Sequence, residues 1–206
     1  MIRLVIADGY DIVREGIAAC LRGEPAIEVA GEARCGTSTL DIVGETEPDI
    51  LLMDLGLADP CGLDVLRQLR RSGSAAKSVV VSADARVSDV FTALALGAKG
   101  FLPKQSGTGE IIAAIRAVGC GYAIVPCDYI AEFVTLRQNI ARYGNIFGLS
   151  RREVQIVKTC ARGMSTREIA ERLSISARTV ETHRTAIYRK MSTRRLDEIA
   201  EMIRLF

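Results

Sequence analysis

Ile50-Leu51-Leu52-Met53-Asp54 is the stretch on which the fold turns. Four apolar residues in a row, entered after Pro48 and closed by an acid, are too few for a helix. They fit a strand covered on both faces. The same alphabet repeats outward. Upstream, Leu4–Ala7 reads as a buried strand and Asp11–Leu21 as a helix, apolar at Ile12, Val13, Ile17, Ala18 and Leu21. Ile27–Ala33 is a weaker strand, and Ser38–Thr46 a short helix stopped by Pro48. Downstream come a helix over Leu63–Arg71, a β-branched strand over Val79–Ser82, and a helix over Ser88–Leu96 closed by Gly97. A short strand, Gly100–Leu102, and a helix, Thr108–Val118, closed by Gly119, complete the series. Strand and helix thus alternate five times. That pattern predicts an α/β, doubly wound, five-stranded parallel sheet with helices on both faces. Chemistry in such sheets gathers at the carboxyl ends of the strands.

The remaining chain has another character. Gly119, Gly121, Pro126, Gly144 and Gly148 mark a connector around a possible helix, Tyr129–Gln138. Beyond it the pattern is helical throughout. Ser150 with Glu153 forms a capping box, and Val154, Ile156, Val157 and Cys160 make an apolar face before Gly163. A second helix starts at Ser165 or Thr166, a third after Ser176 runs to about Met191, and a fourth covers Thr193–Leu205. The second and third are joined by the tight turn Leu173-Ser174-Ile175-Ser176, a helix-turn-helix pattern. The expected organisation is therefore 1–119, a linker over 120–147, and a small four-helix domain over 148–206.

Charge divides the chain in the same place. Residues 149–206 carry 13 Lys/Arg against 7 Asp/Glu, net +6, and residues 1–148 carry 14 against 18, net −4. A basic helical end points to nucleic acid. With 49% hydrophobic and 25% charged residues, a wholly disordered chain is excluded. No stretch approaches the ~18 apolar residues of a membrane span. Asp8 interrupts the N-terminus before a signal-peptide core develops, so a soluble, cytoplasmic protein is expected with no membrane partner. The six cysteines form no CxxC pair, and His183 is the one histidine; thiols are expected rather than a zinc site or a disulfide framework.

Four chemically compatible side chains fall at strand ends: Asp8 after the first strand, Asp54 after the third, Ser82 at the fourth and Lys104 after the fifth. One carboxylate can accept a phosphoryl group if that group's charge is neutralised. A second can help hold Mg²⁺, which prefers oxygen ligands. The hydroxyl and the ammonium can each engage a phosphoryl oxygen. Ile6-Ala7-Asp8, Leu52-Met53-Asp54, Val80-Val81-Ser82-Ala83 and Gly97–Lys104 resemble a response-regulator receiver domain, whose fold is flavodoxin-like. The resemblance implies that Asp54 is the phosphoacceptor, Asp8 an acidic-pocket residue, Ser82 the switch hydroxyl, Phe101 the switch aromatic and Lys104 the pocket lysine. Two departures stand out. Gly9 occupies the place of a second acid, which predicts a weakened Mg²⁺ site, and Ala58 replaces a common proline while Pro60 follows two residues on. Asp11 fits a helix cap better than a substitute ligand.

Leu149–Val154, Gly163–Leu173 and Ile175–His183 resemble the LuxR-type helix-turn-helix. With the receiver, this is the pattern of the NarL/FixJ family of transcription regulators. The resemblance places Glu181, Thr182 and Thr185 at base-reading positions of the third helix, whose Val180, Ile187 and Met191 should be core. Arg178, Arg184, Arg189 and Lys190 suit phosphate contacts, as do Thr166 and Ser176 at helix starts. His183 fits packing or a phosphate contact. The implied protein is a two-component regulator rather than an enzyme. It would be switched by phosphorylation of Asp54, partnered by a histidine kinase and double-stranded DNA, and a homodimer on DNA. Two rivals are a phosphorylation-independent regulator, suggested by Gly9, and a signalling protein that binds no DNA.

Overall fold

The computed structural model describes residues 1–83, 87–131, 134, 149–191, 199 and 200, with only the backbone of Ser88 and Met191. The chain divides into two compact units, Met1–Tyr129 and Ile130–Phe206. The first runs β1 (Ile2–Ala7), α1 (Asp11–Leu21), β2 (Ile27–Ala33), α2 (Gly36–Thr46), β3 (Ile50–Asp54), α3 (Gly62–Ser72), β4 (Lys77–Ser82), α4 (Val87–Ala95), β5 (Gly100–Pro103) and α5 (Thr108–Gly119). All strand pairs are parallel, in the order β2-β1-β3-β4-β5.

The apolar runs are explained by burial on both faces. Leu4, Ile6, Ile50, Leu52, Val79, Val81 and Leu102 pack with Leu21 of α1 and Ala114, Ile115 and Val118 of α5. The alternate residues Val5, Ala7, Leu51, Met53, Val80 and Phe101 pack with Val43 of α2, Val65, Leu66 and Leu69 of α3, and Val90 and Ala93 of α4. Each Val, Leu, Ile, Met or Phe among them contributes roughly 1.5–3 kcal/mol by leaving water, which favours the strand register that buries both sets. β4 starts two residues earlier than its apolar run. Lys77 joins because its N–H donates to the Asp49 carbonyl (2.9 Å) and its ammonium to the Gly119 carbonyl (2.9 Å).

Two local features set the site end of the sheet. The start of α3 lies against the end of β3 so closely that a Cβ at Gly62 would come within 2.7 Å of the Asp54 carbonyl oxygen. Only glycine permits that approach. The outer edge of β5 is covered by the chain that follows α5. The Phe101 N–H donates to the Ile124 carbonyl (2.8 Å) and the Ile124 N–H to the Lys99 carbonyl (3.0 Å). Val125 and Tyr129 pack on the same core cluster as Phe101, so the beginning of the expected linker belongs with the sheet.

In the second unit, α6 (Arg151–Cys160), α7 (Thr166–Leu173) and α8 (Ala177–Met191) surround Leu149, Ile156, Val157, Ile169, Ala170, Val180, Ile187, Ile199 and Ala200. Each helix begins on a serine cap. Glu153 N–H donates to Ser150 Oγ (3.3 Å), Glu168 N–H to Ser165 Oγ (3.3 Å) and Thr179 N–H to Ser176 Oγ (3.0 Å). The α7–α8 turn is made by Ser174 in the left-handed region (φ 53°). Val180 and Ile187 are core as expected, whereas the Met191 side chain lies outside the described residues. So does the expected fourth helix, apart from Ile199 and Ala200, which are helical and buried. The expected helix Tyr129–Gln138 also lies largely outside them.

Candidate functional site

Three of the four strand-end residues meet in one pocket. The Lys104 ammonium is 2.6 Å from Asp8 Oδ2 and 2.9 Å from Asp54 Oδ2. Asp8 is 3% exposed and Asp54 8%. Their placement follows from the sheet. Asp8 is the residue after β1, its N–H donating to the Ala33 carbonyl (3.0 Å), and Asp54 closes β3. The Lys104 N–H donates to the Ser82 carbonyl (2.9 Å), which carries the β4–β5 ladder one step past both strands. Ser82 therefore stands at the same end of the sheet, half-buried. Phe101, 1% exposed, is turned into the core with its ring edge-on to Tyr129 at 5.0 Å between centroids.

One ammonium against two carboxylates leaves the pocket with a net negative charge, a setting that favours a cation. Burial alone would lower the Lys104 pKa. The hydrogen bonds to Asp54 and Asp8, and their charges, outweigh it and hold the pKa above its ordinary value. Among the described residues no group of three or more His, Cys, Asp or Glu side chains is placed to hold a metal. Two adjacent carboxylates do fit a hard ion such as Mg²⁺, which is commonly held by one or two carboxylates and completed by water and phosphate oxygens. Gly9 contributes no ligand, yet space is open there. A Cβ would meet only the Arg34 carbonyl oxygen at 3.9 Å.

Asp11 neither caps α1 nor reaches the pocket. It pairs with Arg14, whose guanidinium also donates to the Asp8 carbonyl (2.8 Å). Tyr10, which the sequence did not single out, is the N-cap residue. Its N–H donates to Asp8 Oδ1 (2.9 Å) and its ring lies 5.6 Å from the Lys104 ammonium. An aromatic one residue past a glycine carries no local signal for this role.

The exposed side of α8 holds the second set. Glu181, Thr182 and Thr185 are all exposed, the adjacent Glu181 and Thr182 lying one turn before Thr185. The two threonine hydroxyls donate to the carbonyls of Arg178 and Glu181 (3.0 Å each). Ser176, Arg178 and Arg189 are exposed. Three other expected phosphate contacts have protein partners. Thr166 Oγ1 donates to Glu181 Oε1 (2.8 Å), and Arg184 Nη1 donates to both Glu181 Oε1 and Thr166 Oγ1 (3.2 Å each). Arg184 Nη2 also donates to the Tyr188 hydroxyl (3.1 Å). Lys190 donates to both oxygens of Glu153, at 2.9 and 2.7 Å.

That last pair ties α8 to the start of α6. Glu153 is 3% exposed. Burial would raise its pKa, but Lys190 and the Ser150 donors prevail and lower it. The capping box accounts for Glu153 within its own helix, so nothing local in sequence announces a partner 37 residues away.

A buried acid–acid–lysine pocket at the carboxyl end of a doubly wound sheet, followed by a helix-turn-helix, defines a class: a receiver joined to a DNA-binding domain. The comparisons agree. Residues 4–116 match the response regulator receiver domain, and residues 148–203 match the luxR family of bacterial regulatory proteins. The chain is 33% identical to the transcriptional regulatory protein LiaR of Bacillus subtilis over 192 residues, covering 93% of this chain and 91% of LiaR. It is 31% identical to the nitrate/nitrite response regulator NarP of Escherichia coli over 193 residues, 93% of this chain and 89% of NarP. Among solved structures, the NarL receiver domain of Mycobacterium tuberculosis is similar at 30% identity and a TM-score of 0.57, covering 58% of this chain and 97% of that one. The chain belongs to the NarL/FixJ family of response regulators. No helix among the described residues is long and apolar enough to cross a membrane.

Proposed function

We propose that the chain is a transcription regulator in which phosphorylation of Asp54 governs DNA binding by α8. The observation that carries this is the Asp8–Lys104–Asp54 cluster, assembled from three strand ends around the one carboxylate that closes β3. An Asp54 oxygen attacks the phosphorus of a histidine kinase's phosphohistidine or of a small acyl phosphate. The bond to the donor's leaving atom breaks as the Asp54 O–P bond forms. Asp8 and Asp54 would hold Mg²⁺, which supplies positive charge to the incoming phosphoryl group. Gly9 makes that site weaker than one with a second acid. Lys104 pairs with a phosphoryl oxygen, and Ser82, tied to Lys104 through the backbone, accommodates another. Phe101 lies three residues before Lys104 on β5, and its contact with Tyr129 offers a route from the pocket to the segment leading out of the receiver.

At the other end, α8 enters the major groove. Glu181, Thr182 and Thr185 face base edges, and Ser176, Arg178 and Arg189 meet phosphates. Two copies bind paired half-sites, in keeping with the apolar excess of Met202, Ile203, Leu205 and Phe206 near the chain end. The chain then acts where its DNA is, in the cytoplasm.

The test is intact-mass spectrometry of the protein and of Asp54→Asn after incubation with acetyl phosphate across a Mg²⁺ series. One phosphoryl adduct on the native protein, absent from the variant, is expected. An adduct that survives in Asp54→Asn contradicts the assignment. The absence of any adduct, with kinase as well as with the small donor, favours the phosphorylation-independent regulator that Gly9 suggests.

A further inference from the structure

We propose that Glu181 reads an exocyclic amino group, the N4 amine of cytosine, and that Arg184 and Thr166 are positioning residues that make this carboxylate usable at the DNA surface. The inference rests on the DNA-binding function proposed above and names the base chemistry of that same face.

A carboxylate brought to DNA meets the negative potential of the phosphates. Alone on a flexible, exposed side chain, it would be repelled and poorly aimed. Glu181 is neither alone nor unaimed. Its Oε1 accepts from Thr166 Oγ1 at 2.8 Å and from Arg184 Nη1 at 3.2 Å. The guanidinium is itself fixed, because Nη1 also donates to Thr166 Oγ1 (3.2 Å) while Nε and Nη2 donate to the Tyr188 hydroxyl (3.4 and 3.1 Å). The four side chains form one network between the first turn of α7 and the exposed part of α8. Its cation offsets the Glu181 charge, and its fork sets the carboxylate's direction.

The hydrogen-bond inventory then limits what can be read. Among the described residues both contacts to Glu181 fall on Oε1, so Oε2 is presented as an acceptor. The neighbouring Thr182 and Thr185 have committed their O–H donors to backbone carbonyls one turn back (3.0 Å each). What they offer outward is a methyl group and an oxygen lone pair. All three expected base-reading residues therefore lack a donor for the base. Guanine presents only acceptors, N7 and O6, in the major groove; adenine presents its N6 amine beside the N7 acceptor, which a carboxylate without a donor cannot satisfy; cytosine presents an N4 amine and thymine a methyl. The face suits cytosine opposite Glu181 and thymine beside it, and it rejects guanine on the contacted strand. This assignment also removes Thr166 and Arg184 from the phosphate-contact set.

The test is selection of the full-length chain on a randomised duplex library, with and without acetyl phosphate and Mg²⁺, followed by salt titration on a selected duplex. The native protein should enrich cytosine at one position of each half-site. Glu181→Gln should move that preference to adenine, and Glu181→Ala should abolish it. Thr166→Val and Arg184→Ala should reduce the enrichment at that one position about tenfold, within the range of a single good base contact. Thr166→Ser should restore it, and the salt slope should not change. Thermal melting confirms that each variant is folded, and the exposed Glu181 variants test the base assignment independently of the other two. The inference is overturned if Glu181→Ala selects the same motif as the native protein. It is equally overturned if Thr166→Val and Arg184→Ala weaken all sequences alike and flatten the salt dependence by about one phosphate contact, as backbone contacts would. If no variant and no native protein enriches any sequence, the DNA-binding function itself fails, and this inference falls with it.

Discussion

The receiver pocket and the α8 surface solve the same electrostatic problem with opposite means. In the pocket, carboxylates from two strands are buried and share one lysine that arrives from a third strand end. On α8, one exposed carboxylate is held by an arginine three residues along the same helix and by a threonine from α7. Burial makes the first arrangement strong and poised for a new charge, because an ion pair out of water is little screened. Exposure makes the second weak in stability, since an exposed i,i+3 pair contributes well under 1 kcal/mol, so its value lies in direction. In the function proposed here the receiver uses charge to bind and react, and the DNA-binding domain uses charge to aim.

The Glu153–Lys190 pair sharpens this contrast because it sits in the second unit, yet its carboxylate is buried like those of the pocket while Lys190 closes over it from the rim. Lys190→Met should leave the Glu153 carboxylate buried without its cation and destabilise the helix-turn-helix by about 2 kcal/mol, readable in denaturant unfolding. Arg184→Ala removes the partner of an exposed carboxylate and should change stability by less than about 0.5 kcal/mol. Equal losses at the two positions would break the distinction.

Gly9→Asp tests the pocket from the other side. The space at Gly9 accepts a Cβ, and a third carboxylate should lower the Mg²⁺ concentration needed for half-maximal phosphorylation by about tenfold, or ~1.4 kcal/mol of cation binding. Adduct formation by mass against Mg²⁺ reads this directly. An unchanged Mg²⁺ requirement would mean that position 9 is not part of the metal site.

The same buried carboxylate sets a pH dependence. The Glu153 pKa is lowered in the folded protein, so its stabilisation is present above the ordinary carboxylate value of 4.5 and is lost as pH falls through the folded value. Lys104 has a raised pKa, so its contribution is complete below 10.5 and is lost as pH rises through the folded value. Thermal melting of Lys190→Met against the native protein should differ at neutral pH and converge below pH 4.5.

How much was legible in the sequence follows from the same physics. The strand ends announced Asp8, Asp54, Ser82 and Lys104, because two-sided burial writes apolar runs that stop abruptly at the site. The serine caps announced α6, α7 and α8 through local spacing. Lys190 reads in sequence as a phosphate contact, and its bond to Glu153 goes unannounced because a partner 37 residues away leaves no periodic trace. Thr166 reads as a helix-start phosphate contact and Arg184 as one member of a basic cluster, since their mutual geometry exists only when α7 and α8 are packed. The segment after Gly119 reads as the start of a linker because Gly119, Gly121 and Pro126 punctuate it. Its docking on β5 rests on backbone hydrogen bonds, which composition does not record.

The central claim is that charge added at Asp54 changes the affinity of α8 for DNA. The direct measurement is fluorescence anisotropy of a labelled, library-selected duplex titrated with the full-length protein, with and without acetyl phosphate and Mg²⁺, beside Asp54→Asn. Adduct occupancy is checked by mass in every sample. The account predicts that the phosphorylated native protein binds at least about fivefold tighter, the lower end of ordinary allosteric coupling, and that Asp54→Asn is indifferent to the donor. Equal affinity for native protein that does and does not carry the adduct would contradict it.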